Sequence, residues 1–408
     1  MSQVITDEKQ VDEVLGRGVE KIYPTRDELK KKLMSGERLR LYCGFDPSAP
    51  SLHVGNAILI GKLGQFQRLG HEVIFLIGGF TGMIGDPTDK LAARSKLTRE
   101  QVMANATNFV AQASAYLSFK GENPALVKYN NDWNDKVSFK DLIELASNFT
   151  VQQMITRDMF QKRLADEKPI FLHEFLYPLA QAYDSVFMDV DLEVGGNDQM
   201  FNMMCGRDLM KSLGKKDKSV LTMKLLADNN GKKMGKSEGN AFFLDDTAGD
   251  MYGKVMSWAD GVMPSAFELC TEVPMEEVKQ LISQMESGNV NPRNLKMRLA
   301  YEITKINHGE AGASEAQANF VKTVQNKEVP TEIETRKVEC EKINIVDLLI
   351  LLELASSKTE ARRLIEQGGI KIGEGETLEP VSDFKVDIEI KNGLIVQRGK
   401  RQFIKIEK

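Results

Sequence analysis

Four sets of side chains in this sequence could do chemistry. The run His53-Val-Gly-Asn56 puts an imidazole and an amide where an apolar helical stretch begins. A helix start gathers orphan backbone N–H groups and the positive end of the macrodipole, so it suits a phosphate. Lys233-Met-Gly-Lys-Ser237 places two lysines in a loop punctuated by glycines. A phosphate chain needs donors on both sides, and such a loop can close over phosphates held at a helix N-terminus. Asp46 and Asp86 are carboxylates in turn-rich loops, and Lys90 and Arg94 follow on the same connection as Asp86. Tyr177, Gln181 and Asp184 recur at i, i+4 and i+7, which sets them on one face of a helix. Taken singly, each set also reads as a polar cap, a solvated hairpin, a surface charge pair or a buried polar helix. Together they describe half of a nucleotide-handling site and a candidate second half. It is not a Walker loop, because GxxxxGK[ST] is missing, and no GxGxxG follows the first strand.

These residues need a scaffold. Leu41 to Phe45 is a short apolar run, followed by a turn rich in Pro, Ser and Ala, a helix, and the apolar run Val73 to Ile77 ending in Gly78-Gly79. That order is a βαβ unit, whose parallel strands present loops at their carboxyl ends. A further strand, Val190 to Val194, runs into Gly195-Gly196-Asn197-Asp198-Gln199. Residues 1–40 read as helical, with Thr25 and Glu28 as a capping box. Thr98 and Gln101 cap a long helix carrying Val102, Ala106, Phe109, Val110 and Leu117. Between Val127 and Asp191, helices alternate with polar insertions such as Tyr129-Asn-Asn-Asp-Trp133. From Thr247 to Asn326 the pattern is helical throughout, with a helix start at Asn291-Pro292. Residues 327–342 are charged and suit a linker. Two amphipathic helices, Ile343 to Leu354 and Lys358 to Gln367, then precede short strands at Ile370–Ile372, Val386–Ile390 and Gln402–Ile406.

With 408 residues the chain exceeds one ordinary core, and two or three domains are expected. A composition of 42% hydrophobic and 28% charged residues is that of a globular protein without a bilayer-spanning run. Cys43, Cys205, Cys270 and Cys340 are isolated, which argues for a reducing compartment and against a disulfide framework or structural zinc. The acidic, polar N-terminus shows no secretory signal, so a cytoplasmic location is the plain reading. The net charge of −5 neither requires nor forbids nucleic acid.

In order along the chain, HVGN at His53–Asn56 resembles the HIGH signature of class I aminoacyl-tRNA synthetases, and KMGKS at Lys233–Ser237 resembles their KMSKS loop. The LYCGFDP strand, Gly85-Asp86-Pro87, the YxxxQxxD set and Glu193-Val-Gly-Gly-Asn-Asp-Gln199 are together similar to the tyrosyl-tRNA synthetases, along nearly the whole chain. Asn56 stands where the first motif has its second histidine, and Gly235 replaces the usual serine. The fold the resemblance implies is α/β. A Rossmann-like parallel-sheet catalytic domain (1–246, with a helical insertion at about 95–175) is followed by a helical anticodon-binding domain (247–330), a linker (331–342) and a small α+β module (343–408). The last resembles the αL RNA-binding fold named after a ribosomal small-subunit protein.

The resemblance also implies roles. Tyr42 and Asp184 would bracket a phenol, while Tyr177, Gln181 and Asp86 would receive the ammonium of L-tyrosine. Asp46 would lie near the amino acid and the adenylate, and Gln199 near the carboxylate end. His53, Asn56, Lys233 and Lys236 would act on the ATP phosphates, assisted by Lys90 and Arg94. Gly55 would leave room for adenine, and Gly196 and Asp198 would hold the ribose. Mg²⁺ would arrive with ATP, with no dedicated metal cage. Arg362, Arg363, Arg398, Lys400 and Arg401 would contact tRNA, and the family implies a homodimer. A tryptophanyl-tRNA synthetase and a catalytically dead RNA-binding relative stay open as alternatives. Tyr42 and Asp184 argue against the first, and the intact motif residues against the second.

Overall fold

The computed structural model describes residues 3–86, 97–227, 241–322, 333–375, 377–399 and 402–408. They form two compact units, Met1–Thr247 with Lys254–His308, and Ala248–Gly253 with Gly309–Lys408.

The first unit is built on a six-stranded sheet with the order β1-β6-β5-β2-β3-β4. The strands are β1 (Val19–Tyr23), β2 (Arg40–Phe45), β3 (Glu72–Ile77), β4 (Leu126–Tyr129), β5 (Leu192–Gly196) and β6 (Ser219–Met223). All pair in parallel except β1, which runs antiparallel to β6. The near-continuous apolar runs of β2, β3, β5 and β6 are what a parallel sheet covered on both faces requires. From β2 the chain moves outward through β3 to β4, then returns to the other side of β2 for β5 and β6. The crevice beyond the carboxyl ends of β2 and β5 is therefore a topological switch point.

Helix α1 (Glu8–Gly16) and α2 (Arg26–Met34) flank β1, and α3 (Val54–Arg68) joins β2 to β3. The short α4 (Thr81–Ile84) follows β3, then α5 (Arg99–Ala106) and α6 (Phe109–Ala113) lead to β4. Helices α7 (Asn131–Asn134), α8 (Phe139–Ala146), α9 (Val151–Ile155), α10 (Asp158–Ala165) and α11 (Leu172–Met188) separate β4 from β5. Helix α12 (Met200–Ser212) joins β5 to β6. Beyond β6 come α13 (Ala248–Met256), α14 (Met263–Cys270), α15 (Met275–Glu286) and α16 (Pro292–Phe320), the last interrupted at Gly309, whose φ is 75°.

Several local expectations change. Residues 1–40 are not wholly helical, because Val19–Tyr23 closes the sheet edge as β1. Thr25 caps α2 by accepting from the Glu28 N–H at 3.2 Å. Thr98 and Gln101 do form a reciprocal capping box, but the helix they open stops at Ala106 and restarts at Phe109, across the weak helix formers Thr107 and Asn108. The polar insertion at residue 129 lies at the end of β4 and the start of α7, next to β3 in the sheet.

The second unit carries a five-stranded sheet of order β10-β9-β12-β13-β7 and a two-stranded pair, β11-β8. Its strands are β7 (Glu334–Lys337), β8 (Lys342–Asn344), β9 (Ile370–Glu374), β10 (Thr377–Pro380), β11 (Asp387–Glu389), β12 (Leu394–Arg398) and β13 (Gln402–Glu407). Helices α17 (Ile345–Leu351) and α18 (Lys358–Glu366) pack their apolar faces on it through Leu348, Leu349, Ala361, Ile365, Val396 and Ile404. Strand β7 lies inside the charged stretch read as a linker. It pairs in parallel with β13 as a charged edge strand, whose pairing comes from the partner rather than from apolar content.

Candidate active site

At the switch point lies a cleft of about 1350 Å³, including its open mouth. Tyr42, Asp46, His53, Gly55, Asn56, Asp86, Tyr177, Gln181, Asp184, Gly196, Asp198 and Gln199 all line it. These are all of the expected amino-acid and nucleotide residues that the structure describes. Lys90, Arg94, Lys233 and Lys236 lie outside the described residues. The chain is described again from Ala241, and there it pairs with the residues that lead into α3. Val54 donates its N–H to the Phe242 carbonyl at 3.0 Å, and Leu244 to that of Leu52 at 2.8 Å.

At the mouth, His53 is the N-cap of α3. Its Nδ1 accepts the Gly55 N–H at 3.0 Å, and the Asn56 Oδ1 accepts the His53 N–H at 3.0 Å, closing a reciprocal capping box. This assigns the imidazole proton to Nε2 and turns the Asn56 carbonyl towards the cap. Gly55 is required locally, since a Cβ there would stand 2.8 Å from the His53 Cε1.

The floor is polar and paired. Tyr177 on α11 donates its hydroxyl to Asp46 at 2.8 Å, and Thr81 donates to the other Asp46 oxygen at 2.6 Å. Gly78 makes this approach possible, because a Cβ would collide with the Asp46 carboxylate. Asp86 accepts from Gln199 Nε2 at 2.5 Å and from Arg157 at 3.4 Å, while Gln199 itself accepts from Asn202 at 2.9 Å.

At the deep end, Tyr42 is 1% exposed and packs among Ile74, Leu76, Trp133, Met188 and Val190. Its hydroxyl meets Ser185 Oγ at 2.9 Å. Burial, with the Glu193 charge next, raises its pKa well above the phenolic range, so it stays protonated. Asp184 accepts three hydrogen bonds, from Trp133 Nε1 at 2.7 Å, Asn134 Nδ2 at 2.8 Å and Asn130 Nδ2 at 3.1 Å. Burial nevertheless pushes its pKa up to about 7 against those donors. Behind this end, Gln181 donates to Glu193 at 2.9 Å, and Glu193 is ion-paired with the buried Lys218.

Sequence reasoning missed Thr81, Asn130, Trp133, Asn134, Arg157, Ser185 and Lys218, and it met Glu193 only as a motif letter. The Tyr129–Trp133 insertion carried a visible signal for two of them. Glu193, a carboxylate within an apolar strand, was another. Nothing local marks Lys218.

In the second unit Arg362 and Arg363 are exposed on α18, with the Arg362 guanidinium 5.5 Å from the centre of the Phe384 ring. Arg398 donates to the Leu354 carbonyl at 2.6 Å and to Glu360 at 3.0 Å. Lys400 and Arg401 lie outside the described residues.

The profile of the tRNA synthetases class I (W and Y) matches residues 34–325, and that of the Tyrosine–tRNA ligase SYY-like C-terminal domain matches residues 324–406. The chain is 42% identical over 403 residues to a tyrosine–tRNA ligase of Thermotoga maritima, covering 98% of each chain. It is 40% identical to tyrosine–tRNA ligase 2 of Clostridium acetobutylicum over 406 residues, covering 98% of this chain and 99% of the other. Among solved structures it is similar to a C-terminally truncated mitochondrial tyrosyl-tRNA synthetase of Coccidioides posadasii, with a TM-score of 0.63 and 25% identity over 76% of this chain and 92% of that one. On the profiles and the full-length relatives, this chain belongs to the tyrosine–tRNA ligases, within the class I tRNA synthetases.

Proposed function

We propose that this chain activates L-tyrosine with ATP and transfers the tyrosyl group to the 3′ end of tRNA(Tyr). The observation that carries this reading is one cleft with Tyr42 and Asp184 buried at its deep end and a helix N-terminus at its mouth. In activation, a tyrosine carboxylate oxygen bonds to the α-phosphorus of ATP as the bond to the bridging oxygen breaks, releasing pyrophosphate. Little covalent work falls to the protein, so positioning and charge stabilisation dominate.

Tyr42 and Asp184 read the phenol. Tyr177, Gln181 and Asp86 receive the ammonium, as carboxylate and carbonyl acceptors suit a cation. In this reading Asp86 exchanges part of its Arg157 contact for the substrate, and Gln199 reaches the carboxylate end. Asp46 supports the adenylate. His53 Nε2 and Asn56 donate to phosphate, Gly55 leaves space for adenine, and Gly196 and Asp198 hold the ribose. Lys233 and Lys236, with Lys90 and Arg94, close on the leaving pyrophosphate; the return of the chain to residues 52–54 supports this. Mg²⁺ enters as part of the nucleotide substrate. Among the described residues no three His, Cys, Asp or Glu side chains gather as a metal cluster.

The C-terminal module holds tRNA through Arg362 and Arg363, joined by Lys400 and Arg401, while Arg398 braces α18 from within. The protein works as a homodimer in the cytoplasm. The exposed apolar side chains of the α8–α11 region, Phe139 (79% exposed), Ile143, Val151 and Leu172, support a face covered by a second copy. No described helix is long and apolar enough to cross a membrane. Pyrophosphate exchange with each aromatic amino acid tests the activation step, with tyrosine-dependent exchange expected and exchange on tryptophan alone overturning it. Deleting residues 341–408 is expected to abolish tRNA charging and spare exchange.

A further inference from the structure

The parallel register sets Tyr42 directly opposite Glu193 in the β2–β5 pair, so both side chains leave the same face of the sheet, towards α11. There they meet Ser185 and Gln181, and a fully buried cation, Lys218, completes the group. Lys218 Nζ donates to Ser185 Oγ at 2.8 Å and is ion-paired with Glu193. The opposite helix makes room for it, because a Cβ on Gly206 would stand 2.5 Å from Nζ and 2.8 Å from Ser185 Oγ. Stability alone is a poor reason for this arrangement, since replacing a buried ion pair by packed apolar groups is often neutral or favourable.

Directional chemistry gives a better reason. A carboxylate only accepts, so the Gln181 end against Glu193 must be its NH₂, and its carbonyl is left for the cleft that Gln181 lines. Ser185 Oγ accepts from Lys218, and its own hydrogen has Tyr42 at 2.9 Å against Glu193 at 3.4 Å. Either oxygen can donate across the 2.9 Å contact, and the arrangement in which Ser185 donates is the one that leaves the Tyr42 hydroxyl hydrogen for the cleft.

We propose that Lys218, acting through Glu193 and Ser185, is a positioning residue for amino-acid recognition: it holds Gln181 as an acceptor and Tyr42 as a donor towards the substrate. The proposal rests on the reading that the cleft takes tyrosine. A phenolic oxygen would then accept from Tyr42 and donate to Asp184, and phenylalanine would leave both unpaired.

The test uses the full chain. Lys218→Met alone would strand a buried carboxylate, so the informative variants are the double change Lys218→Met with Glu193→Leu, and Ser185→Ala, which keeps the ion pair. Tyrosine-dependent pyrophosphate exchange is measured with circular dichroism to establish folding. For both variants the preference for tyrosine over phenylalanine is expected to fall about tenfold or more, with the ATP KM within about twofold of the parent. The double variant should also raise the tyrosine KM about tenfold. Folded variants that keep the parent's preference and tyrosine KM would overturn the proposal and make the pair purely structural. If the double variant does not fold, Ser185→Ala decides alone. A parent that shows no tyrosine-dependent exchange overturns the underlying reading instead, and this appears before any variant is compared.

Discussion

Trp133 donates its indole N–H to Asp184 at 2.7 Å, and that bond joins the end of the β4–α7 turn to the polar face of α11. With Asn130 and Asn134 beside it, the turn supplies three donors to one buried carboxylate whose pKa is still pushed up to about 7. The ionised form is the one that can accept a phenolic hydrogen. Tyrosine affinity should therefore rise as pH increases from about 6 to about 8, then level off. Asp184→Asn should flatten that profile and weaken binding about tenfold or more. Calorimetric titration with tyrosine across this range checks it, and a variant with the parent's pH profile would remove Asp184 from the phenol contact.

Gly55→Ala should disable activation without disturbing amino-acid binding. The new Cβ would press on the His53 ring at 2.8 Å and turn Nε2 away from the phosphate proposed for it. Exchange should fall about tenfold or more while the tyrosine KM stays near the parent value. Equal losses in both would place His53 elsewhere in the reaction.

Arg17 ties the end of α1 to the end of α14. Its guanidinium donates to the carbonyls of Glu268 at 2.9 Å, Val273 at 2.8 Å, Phe267 at 3.0 Å and Thr271 at 2.6 Å. One ammonium cannot reach all four from that position, so Arg17→Lys should cost about 2 kcal/mol or more by leaving buried carbonyls unmet. Urea unfolding followed by fluorescence would show it; an unchanged midpoint would mean that water meets those groups instead.

Lys62, inside α3, donates to the carbonyls of Val14 at 2.7 Å and Arg17 at 2.9 Å, and burial lowers its pKa to about 7. The unfolded chain then holds more protons than the folded one from about pH 7 to about pH 10, so this residue makes stability rise with pH across that window. Lys62→Met should remove that part of the slope. Unfolding of parent and variant at about pH 7 and about pH 9 gives the difference, and parallel curves would show that the site stays charged.

The apolar side chains around α8 predict that Phe139→Asp splits the proposed dimer at micromolar concentration. Light scattering would follow it. A monomeric parent would refute the assembly, and a variant that stays dimeric would move the interface to another face.

Chemistry confined to a short stretch of chain was readable before any coordinates. The capping run at His53, the apolar β2 and β3, and the i, i+4, i+7 face of α11 are all local patterns, and each landed where its periodicity put it. What escaped depends on distant partners. Lys218 is one lysine among many until Gly206 and Glu193 surround it, and Val19–Tyr23 becomes a strand because β6 offers an edge. Strand β7 escaped for the same reason. Arg398 shows the same limit, since its bonds to the Leu354 carbonyl and to Glu360 join residues some forty positions apart.

The three donors on Asp184 also bear on anyone who wishes to redesign this pocket for an unnatural amino acid. Replacing Asp184 alone by an apolar residue, to admit an O-alkylated ring, would orphan the donors of Asn130, Trp133 and Asn134 together. A library confined to the lining would pay that penalty in every member. One that varies the β4–α7 turn with Asp184 treats the four residues as the single unit of selection that their geometry makes them.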